Sequence, residues 1–470
     1  MKINKDEIVY LQKRQRDNIG EIFEWKGRIF RGIFREKTEM VKGFFSSGFI
    51  ASLIQEDLFP MSWISEHESE GYGLLIEHKR IQPIIYPQEW SFSMLRDGAL
   101  AALRVAMIAR QYGYNMKDCH GLNILFENNK PKFVDLGSFH PNRSGCTGWE
   151  PYQEFLRFYY YPLYMWGHGL AFVSKLSIFS GNLMPHFEHY IYKYKLLRYL
   201  GPQVTDCFLR IKFLASNLAC LDPAGLSEKY NARPFFLRFV KIVKHIVDRL
   251  RLSKSQDLNK LRTRILRVRK KPLPSRWKKY HLEIEVKKQR FDKIIAYVNE
   301  CCPEARTAVD MGGNQGLFAE KLLKQTRIQQ VICQDADEQA IDLGYQKNRN
   351  NGSIIFLNYN IIAPTVKTTY LCPEERFRSD IVFSLALLHH LILSQGFDLR
   401  MILREISKYT RQYVCIEFMP KGLWIRGAKT AVPSWYTVEW FKKEFESFFQ
   451  VLKEDQVDEN YIMFIGRLKS

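Results

Sequence analysis

A glycine-rich turn follows a short apolar run in the C-terminal half of the chain. The run Thr307–Asp310 predicts a buried strand that leads into Met-Gly-Gly-Asn-Gln-Gly and then into a helical stretch, 317–323. Gly312 and Gly313 would let a ligand approach the backbone, and Gly316 would let the helix pack closely. A strand, a tight turn and a helix N-terminus together are typical of a nucleotide-type binding site.

Further polar residues stand where the next strands of such a sheet would end. The run Gln330–Asp335 predicts a second strand, and its final acid lies 25 residues after Asp310. A doubly wound fold places a carboxylate for ribose hydroxyls at about this position. A third apolar run, Ile354–Leu357, leads to Asn360. The order of these runs predicts a parallel sheet of the α/β class.

The composition of the turn restricts the ligand. Asn314 stands where a dinucleotide-binding turn has its middle glycine, so close approach of a pyrophosphate is disfavoured. Asp310, at the end of the first strand, would repel a phosphate and suits a cationic or hydroxyl-bearing ligand.

The turn with its spaced acid resembles motif I of class I S-adenosylmethionine-dependent methyltransferases. The resemblance implies a Rossmann-like seven-stranded domain with S-adenosyl-L-methionine as cofactor. It implies Asp335 as the ribose acid and Asn360 on the adenine side, where related chains usually have Asp. The cofactor-binding residues implied in this way are Asp310, Gly312, Gly313, Asn314, Gly316, Asp335, Ala336, Asn360 and Leu385.

Two adjacent histidines are the best candidates for catalysis. His389 and His390 follow the apolar run Asp380–Leu387, at the carboxyl end of a predicted central strand, where open α/β sheets bind ligands. Methyl transfer needs alignment of the reactants and removal of a proton from the acceptor, and a neutral histidine suits the second task. Hydrogen bonding of a loop is the alternative role, and the sequence does not choose between the two residues. No third ligand accompanies them, so no metal site is predicted.

Two further segments of the chain resemble one particular subgroup of these methyltransferases. The segments 375–391 and 436–441 resemble a subgroup that includes nodulation-protein-type methyltransferases, and that resemblance extends over nearly the whole chain. The fourth predicted strand is not followed by Asn/Asp-Pro-Pro-Tyr or by a motif cysteine, so methylation of amino-adenine or of cytosine C5 is disfavoured. A small-molecule or glycan hydroxyl is the expected acceptor.

A second set of polar residues lies in the N-terminal half. Asp118, Asn123 and Asp135 have the spacing of the catalytic and metal-binding loops of kinase-like phosphotransferases, which they resemble. A strand over 72–77 and a helix over 92–112 are predicted in front of them. No Gly-x-Gly-x-x-Gly loop and no strand lysine of the Val-Ala-Ile-Lys kind is found. The resemblance therefore implies a degenerate kinase-like α+β domain, with an active phosphotransferase in a bifunctional protein as the alternative.

These motifs divide the 470 residues into a kinase-like domain (1–240), a basic linker (241–281) and a methyltransferase domain (282–470). The formal net charge is +20, and residues 241–279 alone hold 15 Lys and Arg against two acids. Such a run indicates a solvated linker. Binding of RNA or of an anionic surface through 241–279 is the alternative, and nucleic acid is not the expected partner.

The remaining composition favours a cytoplasmic protein. The nine cysteines are scattered without Cys-x-x-Cys, so neither a disulfide framework nor a zinc ribbon is predicted. The first residues contain no apolar stretch of a signal peptide. The least charged stretch, 158–174, is shorter than a membrane span, so no transmembrane segment is expected.

Overall fold

The computed structural model describes most of the chain, and its residues form two compact units. The described residues are 2–11, 18–142, 148–179, 257–271, 284–362, 371–423 and 431–469. The first unit comprises 1–80, 95–125 and 131–272, and the second comprises 81–94, 126–130 and 273–470. The second unit therefore draws two short segments from the N-terminal half of the sequence.

The strands are numbered in chain order. They are β1 (Lys2–Ile3), β2 (Val9–Tyr10), β3 (Gly20–Trp25), β4 (Arg28–Ile33), β5 (Ser62–Ile64), β6 (Glu68–Ser69), β7 (Leu74–His78), β8 (Tyr114–Met116), β9 (Ile124–Glu127), β10 (Lys130–Phe133), β11 (Phe139–Pro141), β12 (Thr307–Met311), β13 (Gln330–Asp335), β14 (Ile354–Asn358), β15 (Ser379–Ser384), β16 (Thr410–Phe418), β17 (Phe449–Asp458) and β18 (Tyr461–Leu468).

The helices are numbered in the same way. They are α1 (Thr38–Ser46), α2 (Phe49–Gln55), α3 (Phe92–Gln111), α4 (Tyr152–Phe155), α5 (Tyr161–Gly167), α6 (Ala171–Phe179), α7 (Leu258–Arg267), α8 (Ile284–Cys301), α9 (Leu317–Gln325), α10 (Glu338–Lys347), α11 (Pro373–Arg376), α12 (Leu399–Tyr409) and α13 (Val438–Glu446). None of the described helices is long and apolar enough to cross a membrane.

The first unit contains a five-stranded antiparallel sheet in the order β2-β3-β4-β7-β5. Lys26 and Gly27 have positive φ and close the β3–β4 hairpin. Phe23 and Phe30 stack at 5.7 Å within the apolar cluster on this sheet. The helix predicted over 92–112 is present as α3.

The second unit contains a seven-stranded mixed sheet in the order β14-β13-β12-β15-β16-β18-β17. The first five strands in this order run parallel, and β18 pairs antiparallel with both β16 and β17. The α/β part of the predicted fold class is therefore confirmed. Because β12 to β16 are parallel, their carboxyl ends lie along one edge of the sheet, where ligands of such folds bind.

Local sequence explains where several elements begin and end. Thr437 caps α13, and its side chain accepts a hydrogen bond from Trp440 N, as its position before the helix predicts. The predicted strand Asp380–Leu387 ends earlier, at Ser384, because Ala386 takes a left-handed conformation with φ of 51°.

Part of the predicted basic linker is helical. α7 begins at the cap residue Asp257 and buries Leu258, Leu261 and Ile265 on one face, while its basic residues lie on the others. Burial of this stripe shows that the helix packs against apolar surface. The stretches 241–256 and 272–281 of the predicted linker lie outside the described residues.

Candidate cofactor-binding site

The glycine-rich turn after β12 depends on backbone conformations that favour glycine. Gly312 and Gly316 have φ of 77° and 81°, and Asn314 joins them at 53°. At Gly313 the reason is space, because a Cβ there would lie 2.7 Å from both Asp310 Oδ2 and Cys333 Sγ. The turn therefore lies directly against the carboxyl group of the strand that precedes it.

Asp335, at the end of β13, is hydrogen-bonded to this turn. Its Oδ2 accepts from the backbone N–H of Asn314 at 3.0 Å, and its Oδ1 accepts from that of Asp337 at 2.8 Å. Asp337 in turn caps α10 by accepting from the N–H groups of Gln339 and Ala340. The two acids singled out in the sequence, Asp310 and Asp335, are thus brought to adjacent strand ends.

Three buried carboxyl groups lie close to one another at this edge. Burial raises the pKa of Asp310 to about 7, and the charges of Asp335 and Glu417 add to the effect. Burial also raises the pKa of Asp335 to about 6, against the opposing hydrogen bonds from Asp337 and Asn314. Among the described residues, Asp310 Oδ2 has no hydrogen-bond partner. A site with this charge favours a cationic ligand that donates hydrogen bonds.

Glu417 is a member of this cluster that the sequence analysis did not select. It lies within β16, is fully buried, and has a pKa raised by that burial. Arg290 of α8 partly compensates it, with Nε 3.3 Å from Glu417 Oε1. The signal in the sequence was an acid inside the apolar run Val414–Phe418, which a buried strand tolerates only beside a partner.

The residues near the predicted adenine side differ from one another in burial and in hydrogen bonding. The Asn358 side chain donates to the carbonyls of Asp335 and Ala336, at 3.0 and 3.2 Å. Asn360 is exposed and accepts from the N–H of Ile362. Leu385 is half-buried in the loop that follows β15. Asn358, two residues before the asparagine chosen from the sequence, is therefore the amide fixed to the backbone of Asp335 and Ala336.

The two histidines begin a π-helical turn, His390–Ser394, after the loop beyond β15. Their rings are 4.0 Å apart between centroids. Burial and the neighbouring His390 lower the pKa of His389 to about 3. Burial also lowers the pKa of His390, which is the less buried of the two. Both side chains are thus neutral near pH 7, and in the described part of the chain no group of acids, cysteines and histidines has the arrangement of a metal site.

The polar set of the first unit forms a network of its own. Asn123 Nδ2 donates to Asp118 Oδ1 at 2.8 Å, and the Ser138 hydroxyl lies between the carboxylates of Asp118 and Asp135. Arg31 of β4 places a guanidinium nitrogen 3.5 Å from Asp135 Oδ1. The polar residues of this stretch therefore come together, and Arg31, from a distant part of the sequence, lies beside the last acid.

Comparison with known proteins agrees with the resemblance drawn from the sequence. The chain is similar to nodulation protein NoeA of Rhizobium meliloti (strain 1021). The two are 23% identical over 424 residues, which cover 86% of this chain and 84% of the relative. The predicted similarity to nodulation proteins over most of the chain is thereby confirmed. No family model matches the chain.

Solved structures similar to this chain include two methyltransferases with ligands. N-methyltransferase NodS from Bradyrhizobium japonicum WM9 in complex with S-adenosyl-L-homocysteine is 14% identical, with a TM-score of 0.29, over 39% of this chain and 87% of that one. Magnesium protoporphyrin IX methyltransferase from Synechocystis PCC 6803 with bound S-adenosylmethionine is 13% identical, with a TM-score of 0.30, over 42% of this chain and 87% of that one.

Proposed function

We propose that the second unit is an S-adenosylmethionine-dependent methyltransferase whose acceptor is a hydroxyl group of a small molecule or glycan. The observation that carries the proposal is the buried carboxyl of Asp310, which lies against Gly313 and whose Oδ2 has no hydrogen-bond partner in the described part of the chain. A buried carboxylate left in this state is costly, and a cationic ligand that donates to it offsets the cost. The cofactor carries both an ammonium and a sulfonium group.

The proposed roles of the other residues follow from their positions along the sheet edge. When bound, S-adenosylmethionine supplies an electrophilic methyl group. Gly312 and Gly313 would admit it close to the backbone, and Asp335 would accept hydrogen bonds from its ribose hydroxyls. Ala336 and Asn360 lie on the adenine side in this proposal, and the Asn358 side chain holds the backbone of Asp335 and Ala336.

We assign the base to His390 rather than His389. Both imidazoles are neutral near pH 7, but burial lowers the pKa of His389 to about 3, which makes it the weaker base. His390 is also the more accessible of the two to an acceptor. In this role it would take the proton that the acceptor hydroxyl loses on methylation, the sulfonium–methyl bond of the cofactor being the bond that breaks and S-adenosylhomocysteine the leaving group.

Calorimetry with S-adenosylhomocysteine tests the cofactor site in the full chain. We expect micromolar-range binding by the wild type and its loss in Asp310→Ala. Asp292→Ala is the matched control, because Asp292 is an exposed acid of the same unit whose only role in the described structure is a surface ion pair with Lys321. Equal affinity of the wild type and Asp310→Ala would overturn the proposal.

Transfer of a radiolabelled methyl group into fractionated cell extract tests the acceptor class. We expect the label in small-molecule or glycan fractions as an alkali-stable ether, with no incorporation by Asp310→Ala. Label in the protein or nucleic-acid fractions would contradict the proposed acceptor. The cofactor assignment would not be affected, because calorimetry tests it separately.

For the first unit we propose a kinase-like fold without phosphotransferase activity. Its five-stranded sheet, the helix α3 and the loop residues Asp118, Asn123 and Asp135 support the fold. The hydrogen bonds among these loop residues and Ser138, and an arginine rather than a lysine beside Asp135, argue against activity. A rise in melting temperature of the full chain with ATP and Mg²⁺, accompanied by ATP turnover, would contradict it.

A further inference from the structure

Residues 81–94 lie in the N-terminal half of the sequence but belong to the second unit. Within that unit they contact α10. The backbone N–H of Ser93 donates to Asp342 Oδ1 at 2.7 Å, and that of Phe92 donates to Glu338 Oε1 at 3.0 Å. Both donors belong to the first turn of α3, a helix of 20 residues. Carboxylates at a helix N-terminus satisfy otherwise unpaired N–H groups and interact favourably with the helix dipole.

The proposed ribose-binding acid, Asp335, lies just before the N-terminus of α10. α10 begins at Glu338, directly after its cap Asp337, whose N–H donates to Asp335. Only two residues, Ala336 and Asp337, therefore separate the anchored Glu338 from Asp335. A displacement of the N-terminal end of α10 would carry Asp335 and its hydrogen bond to Asn314 with it.

The second short segment, 126–130, holds the opposite end of α10. The Asn129 side chain donates to the carbonyls of Asn348, Asn351 and Ile354 at 3.1, 3.0 and 2.8 Å. Tyr345 of α10 donates its hydroxyl to the Asn129 carbonyl at 3.1 Å. Asn129 is buried, and it fixes the connection from the end of α10 to the start of β14.

We propose that residues 81–94 and 126–130 are working parts of the cofactor site because they hold both ends of α10. In this arrangement Asp342 and Asn129 are positioning residues, which set the affinity for the cofactor through Asp335 without touching the ligand. The inference rests on the proposed function. It extends that function to two segments that the sequence analysis assigned to the other domain.

Substitutions at Asp342 in the full chain test the inference. Asp342→Ala removes the acceptor of the Ser93 N–H, whereas Asp342→Asn keeps an oxygen that can accept it. We expect Asp342→Ala to weaken binding of S-adenosylhomocysteine about tenfold, and Asp342→Asn to restore most of the affinity. Glu405→Ala is the matched control, because Glu405 pairs only with Lys408 on its own helix in the described structure.

A second readout separates positioning from stability. Calorimetry is performed at a temperature at which each variant is folded by circular dichroism, and hydrogen exchange is measured for the amides of residues 335–340. We expect faster exchange there in Asp342→Ala and in Asn129→Ala. Asn129→Ala also serves as the second variant if Asp342→Ala does not fold, with the same loss of affinity expected.

The outcomes distinguish this inference from the proposed function. If the wild type binds S-adenosylhomocysteine and the folded Asp342→Ala and Asn129→Ala variants bind it equally well, this inference is overturned and the proposed function stands. If the wild type does not bind it, the proposed function is overturned and this inference with it.

Discussion

The backbone N–H of Asn314 donates a hydrogen bond of 3.0 Å to Asp335 Oδ2, which joins the glycine-rich turn after β12 to the acid at the end of β13. Asn314 has a left-handed φ of 53°, between Gly312 and Gly316, which are also left-handed. The turn and the acid therefore form one structure before any ligand binds. Such preorganisation lowers the cost of binding.

We first predict that Asp335→Ala weakens cofactor binding more than the loss of one ligand contact would. The substitution removes the acceptor of both the Asn314 and the Asp337 N–H groups, so the turn loses its fixed position as well. We expect affinity for S-adenosylhomocysteine to fall at least about a hundredfold. Asp335→Asn keeps one acceptor oxygen and should lose less affinity. Equal losses of affinity in the two variants would contradict a role of Asp335 in holding the turn as well as the ligand.

The second prediction concerns pH and the ligand-free protein. Burial raises the pKa of Asp310 to about 7 and that of Asp335 to about 6, both from 3.8. Between about pH 4 and pH 7 the folded state therefore holds more protons than the unfolded state, and the free energy of unfolding falls as pH rises. Thermal melts from pH 5 to pH 8 measure this slope. Asp310→Asn should make the slope shallower, and an unchanged slope would contradict its assignment to Asp310.

The raised pKa values of Asp310 and Asp335 also predict that cofactor binding releases protons. A cationic ligand favours the ionised carboxylates, so affinity for S-adenosylmethionine should rise as pH increases from about 5.5 to 7.5. Calorimetry in two buffers with different ionisation enthalpies measures the number of protons released. We expect a fraction of a proton at pH 7 for the wild type and less for Asp310→Asn. Proton uptake on binding would contradict the prediction.

The third prediction separates the two histidines. His390→Gln should lower kcat by about 10²–10⁴-fold, the usual contribution of a general base, while affinity for S-adenosylhomocysteine changes little. Because burial lowers the pKa of His390, its imidazole is neutral between pH 7 and pH 8, so kcat should be constant there and fall in acid. His389→Gln should affect stability more than kcat. A larger loss of kcat in His389→Gln would reverse the assignment.

The fourth prediction concerns a buried ion pair in the second unit. Arg376 and Glu89 form it, with side chains 2% and 0% exposed, and Arg376 also donates to the Ile84 carbonyl at 2.6 Å. Glu89→Gln would leave a buried guanidinium without its counterion and should lower the free energy of unfolding of this unit by about 3 kcal/mol. Urea titration measures the loss.

An exposed pair of the same residue types is the control. Arg104 and Glu56 are 45% and 37% exposed, so Glu56→Gln should cost less than about 1 kcal/mol. Equal losses in Glu89→Gln and Glu56→Gln would contradict the role of burial. The double variant Glu89→Gln with Arg376→Gln should recover part of the loss, since no buried charge then remains.

Local patterns predicted the parts of the fold that local physics determines. The turn after β12, the acid at the end of β13 and the strands β12 to β15 follow from glycine positions and apolar runs, whereas the number of seven strands was implied by the family resemblance. The early end of β15 was missed because a left-handed alanine, Ala386, has no signature in its own residue type.

Contacts between distant segments could not be read from the sequence. Nothing near Asn129 indicates that its side chain donates to three carbonyls more than 200 residues away. Glu417 was visible as an acid in an apolar strand, but its neighbour Arg290 lies on a different element. Such pairs depend on tertiary structure, which no local periodicity encodes.

The segment 81–94 has a consequence for the nascent chain. Ser93 and its acceptor Asp342 are 249 residues apart, so at about 5–20 residues per second the ribosome needs about 12–50 s to supply the partner. During that interval the N–H groups of Phe92 and Ser93 lack the α10 carboxylates that accept from them in the finished protein, and the same segment holds the side chains of Trp90 and Phe92, which are later buried. Synthesis thus exposes an apolar segment before its partner exists, and transiently exposed apolar surface of this kind favours aggregation of a nascent chain.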